Sequence, residues 1–324
     1  MRAVMVDPVE RRLVLRDVPP PTPGDGQLLV RVRAAGVNRA DLAITAGRYH
    51  GTAAATPIVA GGELAGEVVA VGTGVTDWHV GDRVMAMARG CAELAVVDAA
   101  TAMPVPDGLD WEVAGALPVA LATMHDALVT NGRFVTGEHV VVGAASSGVG
   151  VVGVRMALFA GAGVVIGTSR SSDKRRRLAD LVDDERFRVV APDDLVAVAR
   201  ELTDGHGIDV IIDNVGAAAL TDNITAAAIG GRIVQVGRLG GRRAEIDLDE
   251  LARKRISLVG VTFRTRTGAE RAEVVRRAWA EMAEAVAAGA VLPVVHETYP
   301  LEEVAAAHEA LAEDRHLGKL VIIP

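Results

Sequence analysis

The residues in this chain best placed for chemistry are small and hydroxylated. Ala144-Ala145-Ser146-Ser147-Gly148-Val149-Gly150 comes after the β-branched run Val140-Val141-Val142-Gly143 and precedes an apolar stretch that continues to Phe159. This order predicts a strand, a tight turn and the opening of a helix. Backbone N–H groups bared by small side chains suit the pyrophosphate of a dinucleotide, and the dipole of the next helix favours that charge. The fingerprint G-x-G-x-x-G is incomplete, because Ala145 and Ser147 stand at its first two glycine positions and only Gly150 is in place. With 35 glycines in 324 residues, an ordinary tight turn is the competing reading.

The residues after the turn favour the nucleotide. In an NAD-binding fold the second strand ends in an Asp or Glu that accepts from the ribose 2′-hydroxyl. Here Val164-Val165-Ile166-Gly167-Thr168 runs into Ser169-Arg170-Ser171-Ser172-Asp173-Lys174-Arg175, with a hydroxyl and cations at the strand end and no carboxylate directly there. Ser169, Arg170 and Lys174 would give a 2′-phosphate charge-assisted partners, so NADPH is favoured over NADH. The run Lys174-Arg175-Arg176-Arg177 also suits a solvated helix face, most of all at Arg176 and Arg177.

Such residues need a scaffold of alternating strands and helices to hold them. Short β-branched runs recur at Val140–Val142, Val164–Thr168, Arg188–Val190, Val210–Asp213, Arg232–Val236 and Ile256–Val261. Helical patterns lie between several of them, at Asp173–Val182, Leu195–Leu202 and Ala218–Ala228. Six strands in βαβ units predict a doubly wound parallel sheet. Residues 1 to about 115 alternate on a period of two and are broken by turn clusters such as Pro19 to Gly26, which predicts a β-rich domain. An apolar stretch at helical spacing, Glu112 to Thr130, joins the two regions. After Val261 come a long helix over Ala269–Ala288, the stretch Val291–His296, a helix over Leu301–Ala312 and a last strand, Lys319–Ile323.

Composition narrows the partners. Half of the chain is apolar and the formal net charge is −8, which argues against general affinity for nucleic acid or an anionic membrane. A single cysteine, Cys91, permits no disulfide framework and no thiolate zinc cluster, and suits a reducing cytoplasm. Met1 to Glu10 carries Arg2, Asp7 and Glu10, so it does not read as a secretory signal, and Arg155 with several glycines breaks the apolar run from Val149 to Thr168. A small molecule is the expected partner.

The chain resembles the zinc-independent medium-chain dehydrogenases/reductases, in particular the zeta-crystallin-type NADPH:quinone oxidoreductases. The resemblance rests on Ala35-Gly36-Val37-Asn38-Arg39-Ala40-Asp41, Gly47-Arg48-Tyr49, Gly62-Glu63-Leu64-Ala65-Gly66-Glu67-Val68 and Val80-Gly81-Asp82-Arg83-Val84. It continues through Ala116-Leu117-Pro118-Val119, Ser147-Gly148-Val149-Gly150, Gly230-Gly231-Arg232-Ile233-Val234 and Gly318-Lys319-Leu320-Val321. It implies an α/β protein with a doubly wound parallel Rossmann sheet for NADP over residues 116–263. A GroES-like β-rich catalytic domain would be formed by residues 1–115 and 264–324, and the active site would lie in the cleft where the domains meet. Zinc-dependent relatives carry His-Glu where this chain has Gly62-Glu63, and they carry a cysteine ligand in the region that corresponds to Ala34 to Asp41. No metal ligand set is therefore expected.

By the same resemblance Asn38 and Thr123 border the nicotinamide. The turns Asn214-Val215-Gly216 and Val236-Gly237-Arg238-Leu239 cross the strand ends beside it, Phe263 and Arg264 lie near the carboxamide or the cleft mouth, and Lys319 lies near the cofactor phosphates or ribose. Ser146, Ser147, Gly148 and Val149 form the phosphate turn. Ser147 stands where most relatives have glycine, so either its Cβ shifts the pyrophosphate or its hydroxyl bonds to it. Tyr49 sits at the cleft-side Gly-x-Tyr position, either orienting a substrate or packing as a loop side chain. Thr123 also suits a helix hydroxyl bonded to backbone, Phe263 a core residue and Arg264 a solvated loop charge, and His125 either donates a proton or is a buried, hydrogen-bonded imidazole.

Without a Lewis acid, simple alcohol oxidation is disfavoured. The expected activity is hydride delivery from NADPH to a quinone or an α,β-unsaturated carbonyl. The alternatives are a trans-acting enoyl-thioester reductase of a natural-product pathway and a non-catalytic NADPH-binding protein. The resemblance also implies a homodimer, through the apolar edge strand Ile256–Val261.

Overall fold

The computed structural model describes residues 1–7, 9–47 and 57–324. The chain divides into two compact units. The first comprises Met1–Val119, Phe263–Ala287 and Leu292–Pro324; the second comprises Ala120–Thr262 and Ala288–Val291.

The first unit is built on the ten-residue strand Gln27–Gly36. Its period-two pattern buries Leu28, Val30, Val32 and Ala34 while Arg31 and Arg33 face water. The strand pairs antiparallel with Leu64–Val71, with Leu94–Asp98 and, across nearly the whole sequence, with Lys319–Ile323 through Gly36 opposite Val321. Arg83–Ala86, Ala102–Pro104 and Val295–Pro300 complete a seven-stranded sheet. Leu28, Val30, Leu64, Val84, Val97, Leu320 and Ile322 form one apolar core, which the helix Val304–Glu313 covers with Val304, Ala307 and Leu311. A three-stranded sheet of Arg2–Asp7, Arg12–Asp17 and Ile58–Val59 adds Val4 and Val6 to that core.

Near the C-terminal end the structure departs from the sequence reading. The stretch expected over Val291–His296 becomes the strand Val295–Pro300, and the next helix begins at Val304 after a 3₁₀ turn, Leu301–Glu303. The strand lies at the sheet edge, so His296, Glu297 and Thr298 are exposed and the run carries no apolar signature.

The second unit holds six parallel strands in the spatial order Phe187–Val190, Val164–Thr168, His139–Val142, Ile208–Asp213, Ala227–Gln235 and Ser257–Gly260. In chain order this is 3-2-1-4-5-6, the doubly wound Rossmann arrangement. Central parallel strands are covered on both faces and so read as continuous apolar runs. Val140, Val142, Val165, Ile166, Ile211 and Ile212 are accordingly fully buried. Ser257–Gly260 is an edge strand, with Leu258 43% exposed.

The apolar stretch Glu112 to Thr130 does not form one helix. It breaks into Trp111–Gly115, Pro118–His125 and a π-helical turn, Asp126–Asn131, in which Gly132 donates to the carbonyl of Ala127. Pro118 opens the middle piece at a position where its missing N–H costs no helical hydrogen bond. No helix among the described residues is long and apolar enough to cross a membrane.

Candidate functional site

In the second unit, the order of the sheet reverses between His139–Val142 and Ile208–Asp213, and the crevice beyond the carboxyl ends of these neighbours is the ligand-binding position of open α/β sheets. The turn from Gly143 to Ser147 leaves the first of them. Gly143 donates to the carbonyl of Ile212 at 2.9 Å and Ala145 to that of Thr168 at 2.9 Å, so the turn is tied to the strands on both sides. Ala144 adopts a left-handed φ of 51°. Gly150 is the fingerprint residue that the chain retains, and the reason is steric. A Cβ there would fall 2.4 Å from the Ala144 carbonyl oxygen and 2.7 Å from Ala145 Cα. The helix Gly148–Phe159 can approach its turn only without that atom.

Ser147 has a role that neither sequence alternative named. It is the N-cap of this helix, and its hydroxyl accepts from the Gly150 amide at 3.1 Å. One of the free donors of the first turn is thereby used internally. Gly148 and Val149 are half-buried at the helix start, and the buried Ser146 hydroxyl lies 3.0 Å from that of Ser169, joining the turn to the end of the second strand.

At that strand end Ser169 and Lys174 are buried, whereas Arg170, Arg176 and Arg177 are exposed. Ser171 caps the helix Ser172–Leu181 by accepting from the Lys174 amide. Arg175 is spent on structure, since one guanidinium nitrogen donates at 2.8 Å to each of the Ser169 and Arg170 carbonyls. Within the cationic run Arg175 shapes the loop and Arg176 donates to Asp173 at 3.0 Å, while Ser169 and Arg170 directly follow the strand and Lys174 lies in the first turn of the next helix.

Beyond the fourth strand, Asp213 accepts the amides of Val215 and Gly216 at 2.8 Å each, which fixes the loop, and burial pushes its carboxyl pKa up. Asn214 is buried at 6% exposure; its amide donates to the Gly143 carbonyl at 2.9 Å, and its Oδ1 has no hydrogen-bond partner among the described residues. Such an orphaned acceptor at the carboxyl ends of strands one and four suits a donor from a ligand. Gly237 packs against Asn214, donating to the Asp213 carbonyl at 3.0 Å, and Leu239 is 68% exposed on the same turn. His125 is fully buried and Thr123 half-buried on Pro118–His125.

The first unit gathers a second polar cluster. Glu63, fully buried, accepts at Oε1 from the Asn38 amide at 2.9 Å and from the Lys319 ammonium, and at Oε2 from the Val119 N–H at 2.7 Å. Lys319 also donates to Asn38 Oδ1 at 2.8 Å. Asp41, 4% exposed, accepts the Asn38 backbone N–H at 2.8 Å at the start of the helix Arg39–Thr45. Burial lifts the Asp41 carboxyl to about 6, against the opposing effects of that hydrogen bond and of Lys319. Burial likewise raises the Cys91 thiol, which therefore carries no nucleophilic thiolate.

On sequence grounds Asn38 and Lys319 are expected beside a cofactor, and the structure joins them to each other through Glu63. In the sequence Glu63 stands out only as part of a motif, and no local signal marks it as the centre of a buried network. Phe263 and Arg264 are half-buried and belong to the first unit, with the Arg266 guanidinium 5.1 Å from the centre of the Phe263 ring. Tyr49 lies outside the described residues.

Comparison with known proteins accords with this architecture. The family model for the alcohol dehydrogenase GroES-like domain matches residues 24–115, and that for zinc-binding dehydrogenases matches residues 190–322. The quinone oxidoreductase of Rattus norvegicus is 31% identical over 100% of this chain and 98% of its own length. The polyketide synthase GfsB of Streptomyces halstedii is 32% identical over 92% of this chain, which spans only 5% of that synthase's length. Among solved structures, mycobacterial Rv1454c complexed with NADPH matches with a TM-score of 0.86 at 29% identity, over 100% of both chains. A GroES-like unit and a Rossmann sheet in one chain define a medium-chain dehydrogenase/reductase. Within that class the chain belongs to the quinone oxidoreductase family.

Proposed function

We propose that this chain transfers hydride from NADPH to a quinone or an α,β-unsaturated carbonyl without a catalytic metal. The observation that carries the reading is the end of the strand Val164–Thr168, where Ser169, Arg170 and Lys174 stand in place of a carboxylate. A hydroxyl and two cations suit a 2′-phosphate. The orphaned Asn214 Oδ1 suits an N–H or O–H of the same cofactor, and the amides of Gly148 and Val149 suit its pyrophosphate. The relative solved with NADPH supports the same choice.

Bound NADPH would supply the hydride; the protein would hold and orient it and keep water away. Among the described residues no group of three or more His, Cys, Asp or Glu side chains is arranged to hold a metal ion. Gly62 offers no ligand beside Glu63. The glycine at position 62 favours an acceptor that delocalises the incoming charge itself, as quinones and conjugated carbonyls do.

The likeness to a stretch of a polyketide synthase favours a second reading, reduction of an enoyl thioester by the same hydride chemistry. We further place the chain as a cytoplasmic homodimer paired along Ser257–Gly260. The exposed Leu258 on that edge and the single buried Cys91 support this. Light scattering of wild type and of Leu258→Asp tests the pairing, with a shift from dimer to monomer expected.

The decisive assay follows loss of NADPH absorbance, and separately of NADH, against a benzoquinone, phenanthrenequinone, an alkenal and a crotonyl thioester, each with and without chelator. Chelator-insensitive turnover with NADPH and quinone or enone is the expected result. Turnover abolished by chelator would overturn the metal-free reading, and turnover confined to the thioester would replace the first reading with the second.

A further inference from the structure

Four distant segments of the first unit meet at Glu63: Gly36 to Asn38, the start of Leu64–Val71, Pro118 with Val119, and the start of Lys319–Ile323. The chain is shaped to admit its carboxylate. A Cβ at Gly36 would stand 2.4 Å from Glu63 Oε1 and 2.8 Å from the Gly115 carbonyl, so only glycine leaves room there.

The two oxygens do different work. Oε1 is held by Lys319 and by the Asn38 amide, which fixes the orientation of the group and supplies its counter-charge. Oε2 accepts the N–H of Val119, the second residue of Pro118–His125. The amides of a helix's first turn have no partner within the helix and attract a negative charge. Pro118 has no N–H to offer, so Val119 presents the first such donor, and Glu63 takes it at 2.7 Å. The anchored helix carries Thr123 and His125.

We propose that Glu63 is a positioning residue: it sets the Pro118–His125 helix, and with it Thr123, for the hydride transfer, and Lys319 serves as its buried counter-charge. This rests on the reductase reading above. A buried ion pair can be replaced by neutral side chains with little loss of stability, whereas removing one partner is severely destabilising. Paired replacements therefore separate anchoring from folding. E63Q/K319M removes both charges and keeps an acceptor for the Val119 N–H; E63L/K319M removes both charges and the acceptor.

Hydrogen exchange of the cofactor-free variants should show the amides of residues 119–125 exchanging about tenfold faster or more in E63L/K319M than in E63Q/K319M, while the strand Gln27–Gly36 stays equally protected in both. In the NADPH oxidation assay, kcat of E63L/K319M should fall about tenfold or more below that of E63Q/K319M, with KM for NADPH within about twofold between them. Equal exchange in the two variants would overturn the anchoring role, whether or not any acceptor is found. Faster exchange with equal kcat would overturn positioning, as would a kcat that follows melting temperature across the variants and ignores the acceptor at position 63. If no acceptor is turned over by wild type, the reductase reading fails and the positioning claim with it, while the exchange result still decides the anchor.

Discussion

Replacing Asp41 with Asn should stabilise the protein near neutral pH, although it removes an acid from a buried polar cluster. The carboxyl titrates near 3.8 in an unfolded chain and is lifted to about 6 in the native state, chiefly by burial. The native state therefore holds the proton more tightly than the unfolded one. Asp41's favourable contribution is complete below pH 3.8 and is lost as pH rises through 6. A difference of roughly two pKa units at 1.36 kcal/mol each makes the loss about 3 kcal/mol. The amide of the Asp41→Asn variant would keep an oxygen for the Asn38 N–H, now accepted by Asp41 at 2.8 Å, and would carry no charge at any pH. The assay is urea unfolding of wild type and Asp41→Asn at intervals from about pH 4.5 to 7.5. Other acids titrate in both proteins, so the difference between the two curves isolates this group. The variant should gain on wild type mainly between about pH 4.5 and 6 and level off above that, by about 2 kcal/mol over the whole interval. A difference that stays constant with pH, or one that moves against the variant as pH rises, would refute the reasoning.

His308 should act in the opposite direction. Burial lowers its imidazole from 6.5 to about 4, so the stability it permits is present above pH 6.5 and is lost as pH falls through 4. His308→Leu should remove about 3 kcal/mol of that acid sensitivity in the same unfolding experiment. For cofactor choice, Arg170→Ala with Lys174→Ala should weaken NADPH binding by about 2 to 3 kcal/mol, or roughly 30- to 150-fold, and leave NADH nearly unchanged. Fluorescence titration reads both, and equal losses would remove the 2′-phosphate assignment. Gly150→Ala should weaken both nucleotides together and lower the melting temperature. Its Cβ would stand 2.4 Å from the Ala144 carbonyl, an overpacking that costs about 1 to 3 kcal/mol; unchanged binding of both nucleotides would argue against the turn as the phosphate site.

Much of the second unit was legible because its chemistry is local. A parallel strand covered on both faces must be apolar along its whole length, so Val164–Thr168 could be bounded to the residue and the other five strands recognised. Gly150 was legible because a close helix approach leaves a glycine at a fixed spacing. The first unit's cluster was not. Glu63 and Lys319 lie 256 residues apart, and a lone acid and a lone lysine carry no periodicity to mark them as partners. Ser147 was readable as a departure from a motif, but its capping of Gly150 depends on a backbone geometry that no spacing encodes. Val295–Pro300 escaped because an edge strand can be polar on both faces. Pro118 is the local signal that Glu112 to Thr130 does not run as one helix.

The pairing of Gln27–Gly36 with Lys319–Ile323 also sets an order of events during synthesis. All six strands of the parallel sheet lie within Ala120–Thr262, so that sheet can be completed as soon as this stretch has left the ribosome. The first unit begins earlier and finishes later. Its longest strand is made early, yet a neighbour on one side arrives about 280 residues afterwards, on the order of 15 to 60 s at ordinary elongation rates. Through that interval the strand's Gly36 end has no pairing partner on that side, and Glu63 waits for its lysine. Nascent chains arrested before and after residue 319 should differ sharply in their susceptibility to protease within residues 1–119 and little within the parallel sheet.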